Sequence, residues 1–214
     1  MLTIYGADLS TPVTIVRFTA NALGLEYKYE VLNMRGGEHK QPEHMRRHPA
    51  GKVPAIDDDG FTLFESGAIM RYLADKADSP LYPRDPRRRA FVDQWLDFAG
   101  YHVRNAVGRL LFNRVFAPAM KLPVDEQSLK DGSKFLDQFL PVVETQLGKN
   151  KYFAGEEFSL ADIALLGALD PAEVCGVDLA PYPSIVKWRD ELRSRDFYTI
   201  CYKNYGEALA AARS

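Results

Sequence analysis

Gly51-Lys52-Val53-Pro54-Ala55, Asp57-Asp58-Asp59-Gly60 and Phe64-Glu65-Ser66 follow one another between positions 51 and 66, and their reading decides the fold. Val53 to Ile56 and Phe61 to Phe64 read as two antiparallel strands, because the acidic run ending in Gly60 supplies hairpin-turn chemistry between them. Pro54 has no N–H to give to a ladder, so Val53-Pro54 marks a strand start or a turn. Ser66 precedes an apolar set, Ile69, Tyr72 and Leu73, spaced as one face of a helix running to Lys76. Upstream, Leu2 to Tyr5 reads as a strand. Pro12 to Leu23 reads as a helix with Val13, Val16, Ala20 and Leu23 on one face and Gly24 as its stop. Tyr27 to Val31 alternates as a strand does, which completes a β-α-β unit expected to be right-handed with parallel strands. The chain between this unit and the hairpin reads as irregular and polar.

The resulting β-α-β-β-α order is of the thioredoxin type, so residues 1–76 are expected to form one small α/β domain. Pro80, Pro83 and Pro86 break any regular element over residues 77–86, which reads as a linker. Beyond it the pattern is helical: Phe91, Trp95, Phe98, Ala106 and Leu110 recur at three- and four-residue spacing, as do Leu136, Phe139, Leu140, Val143 and Leu147. Phe158-Ser159-Leu160-Ala161-Asp162-Ile163 carries the start chemistry of another helix, with Ser159 and Asp162 as a capping box and Phe158 and Ile163 as a hydrophobic staple. Ser184 begins a further helix with Ile185, Trp188 and Leu192 on one face. Residues 87–214 are expected to be all-helical.

At 214 residues the chain has room for one or two domains, and 46% hydrophobic residues can build a substantial core. No apolar run approaches the length of a membrane span, and the first residues open directly as a strand with no leader pattern, so the expectation is a cytoplasmic protein without a membrane partner. The formal charge of -2, from 27 basic and 29 acidic side chains, gives no sign of a nucleic-acid partner. Cys175 and Cys201 fit neither a zinc spacing nor a redox Cys-x-x-Cys pair, and no metal site is expected.

Taken singly, the polar candidates keep two readings each. Ser10 stands where the first strand meets the first helix, a place whose free amides and macrodipole favour an anion, or where a serine serves only as a cap. Glu65 and Ser66 offer either a plain capping serine beside an exposed glutamate or a receptor for an ammonium and a carboxylate. His39, Lys40 and Lys52 are donors for a second carboxylate or solvated loop charges. Tyr101, His102, Asn105, Arg109, Phe112 and Phe116 share one long helix after the linker, where they line a cavity or pack helices, packing being the better reading for Phe112.

Their joint order is more specific than any one of them. Glu38-His39-Lys40, Pro42-Glu43-His44, Gly51-Lys52-Val53-Pro54-Ala55 and Leu63-Phe64-Glu65-Ser66, with Phe158 to Asp162 and the segment 183–197, resemble the phi class of glutathione S-transferases over nearly the whole chain. The resemblance implies the fold of that family, glutathione as cosubstrate without a metal, and a homodimer with one site per subunit. It implies a detoxification-type activity: glutathione is held as a thiolate and added to hydrophobic electrophiles, and the same thiolate would serve for organic hydroperoxides. It implies a Ser10 hydroxyl donating to the sulfur and a cis Val53-Pro54 bond at which Val53 grips the tripeptide. Glu65 and Ser66 would take the γ-glutamyl end, and His39, Lys40 and Lys52 the glycyl carboxylate. The electrophile would meet Thr11, Tyr101, His102, Asn105 and Arg109. Thr11 and Tyr5 are rival hydroxyls to Ser10. Three positions depart from the family pattern: Ile15 replaces an arginine, with Arg17 two residues on, Ala50 replaces an aromatic, and Gly67 replaces the arginine after Glu-Ser. A binding module that keeps the scaffold without turnover is the alternative, and intact Ser10, Glu65 and Ser66 argue against it. A thiol-disulfide reductase would need a cysteine at or beside position 10, and none is there.

Overall fold

The computed structural model describes residues 1–212, so the last two positions of the helical segment expected over 87–214 lie outside the described residues. β1 (Leu2–Gly6), β2 (Tyr27–Val31), β3 (Ala55–Asp58) and β4 (Phe61–Phe64) form one sheet in the order β2-β1-β3-β4. β1 runs parallel to β2 and antiparallel to β3, and β3 to β4 is antiparallel, with Ile4 opposite both Tyr29 and Ile56. The hairpin turn begins two residues later than the sequence suggests: Asp57 and Asp58 are strand residues, and Asp59 and Gly60, both at positive φ, make the turn. Glycine adopts that backbone without steric penalty, so Gly60 is the residue that allows the two-residue reversal.

α1 (Thr11–Ala22) and α3 (Ser66–Lys76) pack together and bury Ile15, Val16, Ile69 and Leu73. The stretch expected to be irregular holds a short 3₁₀ turn, Glu38–Lys40, and a helix α2 (Pro42–Arg47), which lies against β3 and β4. Only six residues long and flanked by Pro42 and Pro49, α2 has too little apolar periodicity to announce itself. What fixes it is tertiary: His44 is buried, and the ring of His48 lies tilted 4.7 Å from that of Phe64.

α4 (Pro86–Phe98) opens under the Asp85 cap, whose carboxylate accepts from the amides of Arg87 and Arg88. It runs on through a π-helical turn (Ala99–Val103), α5 (Arg104–Leu111), a second π turn (Phe112–Phe116) and α6 (Ala117–Ala119). α7 (Glu126–Lys149), α8 (Leu160–Leu169), α9 (Pro183–Arg193), α10 (Asp196–Thr199) and α11 (Tyr205–Ala211) complete the chain. No helix among the described residues is long and apolar enough to cross a membrane.

α8 is the hub of the helical half, with every residue buried, and it touches α1 as well as α4 and α5. Contact with α1 is close at Gly167, where an added Cβ would overlap the Ile15 side chain. The first turn of α8 is anchored by the fully buried carboxylate of Asp162. It accepts from the Ser159 amide (2.9 Å), the Ser159 hydroxyl (3.1 Å), the Phe153 amide (2.8 Å) and the Trp188 indole (3.0 Å). Burial pushes Asp162 up to about 6 even against these four donors, which shows how dry the position is.

Candidate active site

Ser10 ends the turn from β1 into α1. Leu9 before it has φ 65, a left-handed conformation that a branched side chain rarely adopts, and its carbonyl accepts from the buried Tyr205 hydroxyl at 2.8 Å. Ser10 itself is the N-cap at φ -79 and ψ 105, yet its hydroxyl makes no cap bond. The amides of Val13 and Thr14 already donate to the Ser10 carbonyl at 2.9 Å, and Pro12 has no N–H. The first turn of α1 therefore presents an uncommitted hydroxyl beside the Thr11 amide, at the positive end of the helix. Thr11 keeps a second hydroxyl in the same turn. Tyr5 does not: its ring is covered by the Arg47 guanidinium at 4.1 Å and edges against His44, on the α2 side of the sheet.

The neighbouring wall is the segment before β3. The Val53-Pro54 peptide is cis. Gly51, at φ 56, lets this strand approach the 3₁₀ turn so closely that a Cβ would stand 2.7 Å from Met45 Sδ and 2.8 Å from the His39 carbonyl. The same contact brings His39 and Lys40 beside Lys52, with Lys40 Nζ donating to the Ala50 carbonyl at 3.0 Å. His44, noted in the sequence only as part of a matching segment, meets the Lys52 carbonyl through Nε2 at 2.7 Å and so fixes the backbone leading into Val53.

The third element is the start of α3. Glu65 sits at φ 70 and ψ 114 with its side chain exposed, and backbone strain of this kind is held only where the surroundings enforce it. Ile69 makes the first main-chain bond of the helix, to the Glu65 carbonyl, which leaves the amides of Ser66, Gly67 and Ala68 pointing outward. A cleft of about 290 Å³ opens there, lined by Ile15, Glu65, Ser66, Tyr101 and Arg104.

Arg104 was not among the sequence candidates. Its Nη1 donates to the buried Ser66 hydroxyl at 3.1 Å, bridging from the helical half to the sheet half. Burial pulls its pKa down, with Glu65 as the carboxylate that works against this, and it forms no ion pair among the described residues. Arg71 nearby is already committed to Asp93 (2.6 Å) and Asp97 (2.7 Å). Arg104 is thus a desolvated cation in a cleft beside three free amides, an arrangement built for an anion.

Comparison with known proteins bears directly on this geometry. Residues 1–75 match the model of the glutathione S-transferase N-terminal domain, and residues 107–196 match that of the C-terminal domain. Glutathione S-transferase F10 of Arabidopsis thaliana is 34% identical over 205 residues, which cover 91% of this chain and 93% of that one. The chain belongs to the glutathione S-transferase family. The crystal structure of glutathione transferase F2 from Populus trichocarpa superposes on this transferase with a TM-score of 0.87 at 32% identity, covering 94% and 97% of the two chains. A glutathione S-transferase-I structure bound with lactoylglutathione does so at 0.85 and 30%, with the same coverage.

Within the transferase, four residues expected at the electrophile pocket, Thr11, His102, Asn105 and Arg109, do not line this cleft. His102 packs between Phe98 and Phe139, at 5.0 and 4.9 Å. Arg109 lies over Phe135 and donates to Ser128, and Asn105 donates back to the Tyr101 carbonyl. Tyr101 alone of that helical set lines the cleft. The cleft takes Asp97, Gly100, Tyr101 and Arg104, which recur at three- and four-residue spacing along one face of the helix, and His102, Asn105 and Arg109 fall on its other faces.

Proposed function

We propose that the transferase binds glutathione across the Ser10, Val53 and Glu65-Ser66 elements and lowers the pKa of its thiol through the Ser10 hydroxyl. The observation that carries this reading is the uncommitted hydroxyl at the positive end of α1, next to a free amide. A free thiol has a pKa near 8.5, and holding it two units lower requires about 2.7 kcal/mol of preference for the thiolate. One hydrogen bond to a charged acceptor, about 1.5–3 kcal/mol, with the helix terminus adding to it, is of that size. The thiolate then forms a carbon–sulfur bond to the electrophile as the leaving group departs or a polarised double bond opens, and no further base is needed.

At the γ-glutamyl end, Glu65 receives the ammonium. Ser66, the first amides of α3 and Arg104 receive the carboxylate, so Arg104 supplies the charge that Gly67 does not. His39, Lys40 and Lys52 lie along the wall where the glycyl carboxylate ends, and Val53 offers its main chain to the cysteinyl residue. Thr11 and Tyr101 face the electrophile. β4 and α4 leave Phe61, Phe64 and Phe91 exposed, apolar surface that a second copy of the chain would cover. Sedimentation at twice the 24.1 kDa of one chain is expected in cytoplasm-like buffer, and a monomer refutes the dimer. The catalytic reading is tested by the conjugation rate with a dinitrohalobenzene. Ser10→Ala should lower kcat about 10²-fold, one lost charge-stabilising donor, while glutathione still binds. An unchanged kcat would move the role to Thr11.

A further inference from the structure

The Ser10 hydroxyl makes no cap bond of its own, so its place at the start of α1 is set by the backbone that carries it. On the helix side that backbone is well tied: the amides of Val13 and Thr14 and the Thr14 hydroxyl, the last at 3.2 Å, all donate to the Ser10 carbonyl. On the strand side the ties are weaker. The Ser10 amide reaches the Ala7 carbonyl at 3.3 Å, and Leu9 between them stands at φ 65. A leucine returns from that conformation to an ordinary one unless its surroundings hold it there.

The hold comes from the far end of the chain. Tyr205, the first residue of α11, is 1% exposed, and its hydroxyl donates to the Leu9 carbonyl at 2.8 Å. That carbonyl belongs to the planar Leu9–Ser10 peptide, so fixing its direction fixes the plane from which the Ser10 side chain departs. Burial pushes the Tyr205 phenol above its ordinary pKa, so it stays a donor throughout the range in which a thiol titrates. Two tyrosines just before it make the arm firm. Tyr198 and Tyr202 donate to the two carboxylate oxygens of Asp170, at 2.8 and 2.5 Å, and so anchor this segment to the end of α8. The third hydroxyl, that of Tyr205, is aimed at the turn that carries Ser10.

We infer that Tyr205 is a positioning residue for the transfer reaction. By holding the carbonyl of the left-handed Leu9 it keeps the Ser10 hydroxyl directed at the glutathione sulfur, from a buried place behind the turn and without contact to the thiol. The inference rests on Ser10 as the donor to the thiolate. It makes the C-terminal helix, which belongs to the other half of the chain, a determinant of the acidity of the bound thiol.

Tyr205→Phe keeps the ring and its packing and removes the donor alone. Read from the ultraviolet absorbance of the thiolate, the pKa of bound glutathione should rise by about half a unit to one unit, as a hydrogen bond to the charged form is misdirected rather than lost. With a dinitrohalobenzene, kcat should fall about two- to fivefold at pH 6.5 and converge on the parent value above about pH 9, while KM for glutathione changes less than about twofold. A loss of folded protein would instead lower the rate by one factor at every pH, and that result would overturn the inference. The same titration in Ser10→Ala and in the double variant separates the two claims. Once residue 10 is alanine, Tyr205→Phe should add nothing. If Ser10→Ala leaves the titration unchanged, the Ser10 reading fails and this one with it. If Ser10→Ala raises the thiol pKa and Tyr205→Phe does not, or if Tyr205→Phe raises it equally in the alanine background, the role of Tyr205 alone is refuted.

Discussion

Replacing Arg104 by Met keeps the unbranched stem in place and removes the cation that donates to Ser66 at 3.1 Å. If that cation receives the γ-glutamyl carboxylate, its loss removes a charge-assisted hydrogen bond in a desolvated cleft, about 1.5–3 kcal/mol. That corresponds to roughly a 10- to 150-fold rise in KM for glutathione. The contact is remote from the sulfur and equal in ground and transition states, so kcat should change by less than about threefold. Steady-state kinetics with glutathione and with γ-aminobutyryl-cysteinyl-glycine, which lacks only that carboxylate, separate the contact from general damage. The parent protein should penalise the analogue by the same factor that Arg104→Met penalises glutathione, and the variant should treat the two thiols alike. An Arg104→Met protein with unchanged KM, or one that still discriminates fully between the two thiols, would show that Arg104 serves only to join the two halves of the chain.

Three further outcomes are expected from the packing and the charges. Gly167→Ala places a methyl against Ile15 at the α1–α8 contact and should destabilise the fold by about 1–3 kcal/mol in urea unfolding, with Ile15→Ala in the same chain recovering part of the loss. His44→Leu leaves the Lys52 carbonyl without its partner, at a cost of about 1–3 kcal/mol, and should raise KM for glutathione more than it lowers kcat. Asp58 is held below its ordinary value of 3.8 by Lys76 and by the Tyr72 hydroxyl at 2.6 Å. A depressed folded-state pKa means stabilisation that is present at neutral pH and lost as pH falls through 3.8 and below, so the stability gap between parent and Asp58→Asn should narrow over that window and stay flat above it.

The hairpin reversal at Gly60, the strand alternation of Tyr27 to Val31 and the Ser159–Asp162 helix start were legible because each is a local rule: residues near in sequence carry the whole signal. α2 was not, since six residues show no period and the helix is held because His44 meets the Lys52 carbonyl ahead of β3 and His48 meets Phe64 of β4. The site divides the same way. Ser10, Glu65 and Ser66 sit at strand-to-helix junctions that a sequence marks directly. Arg104 shares a helix face with Asp97, Gly100 and Tyr101, but nothing local says which neighbour that face meets, and His102 and Arg109, taken as candidates only because they share the long helix after the linker, meet α7 instead. Ile15, a loss when judged against the family's arginine, is matched by a compensating glycine on α8 that only the packing reveals.

The claim on which the rest depends is that Ser10 holds glutathione as a thiolate. Ultraviolet absorbance of the bound thiolate, measured against pH in the parent protein and in Ser10→Ala, addresses it without any choice of electrophile. The parent complex should titrate about two units below the free thiol, near 6.5, and the variant should return most of the way toward 8.5 while still binding. Identical titrations in the two proteins, with the thiol ionising at its free value in both, would contradict the assignment of Ser10 and leave a protein that binds glutathione without activating it.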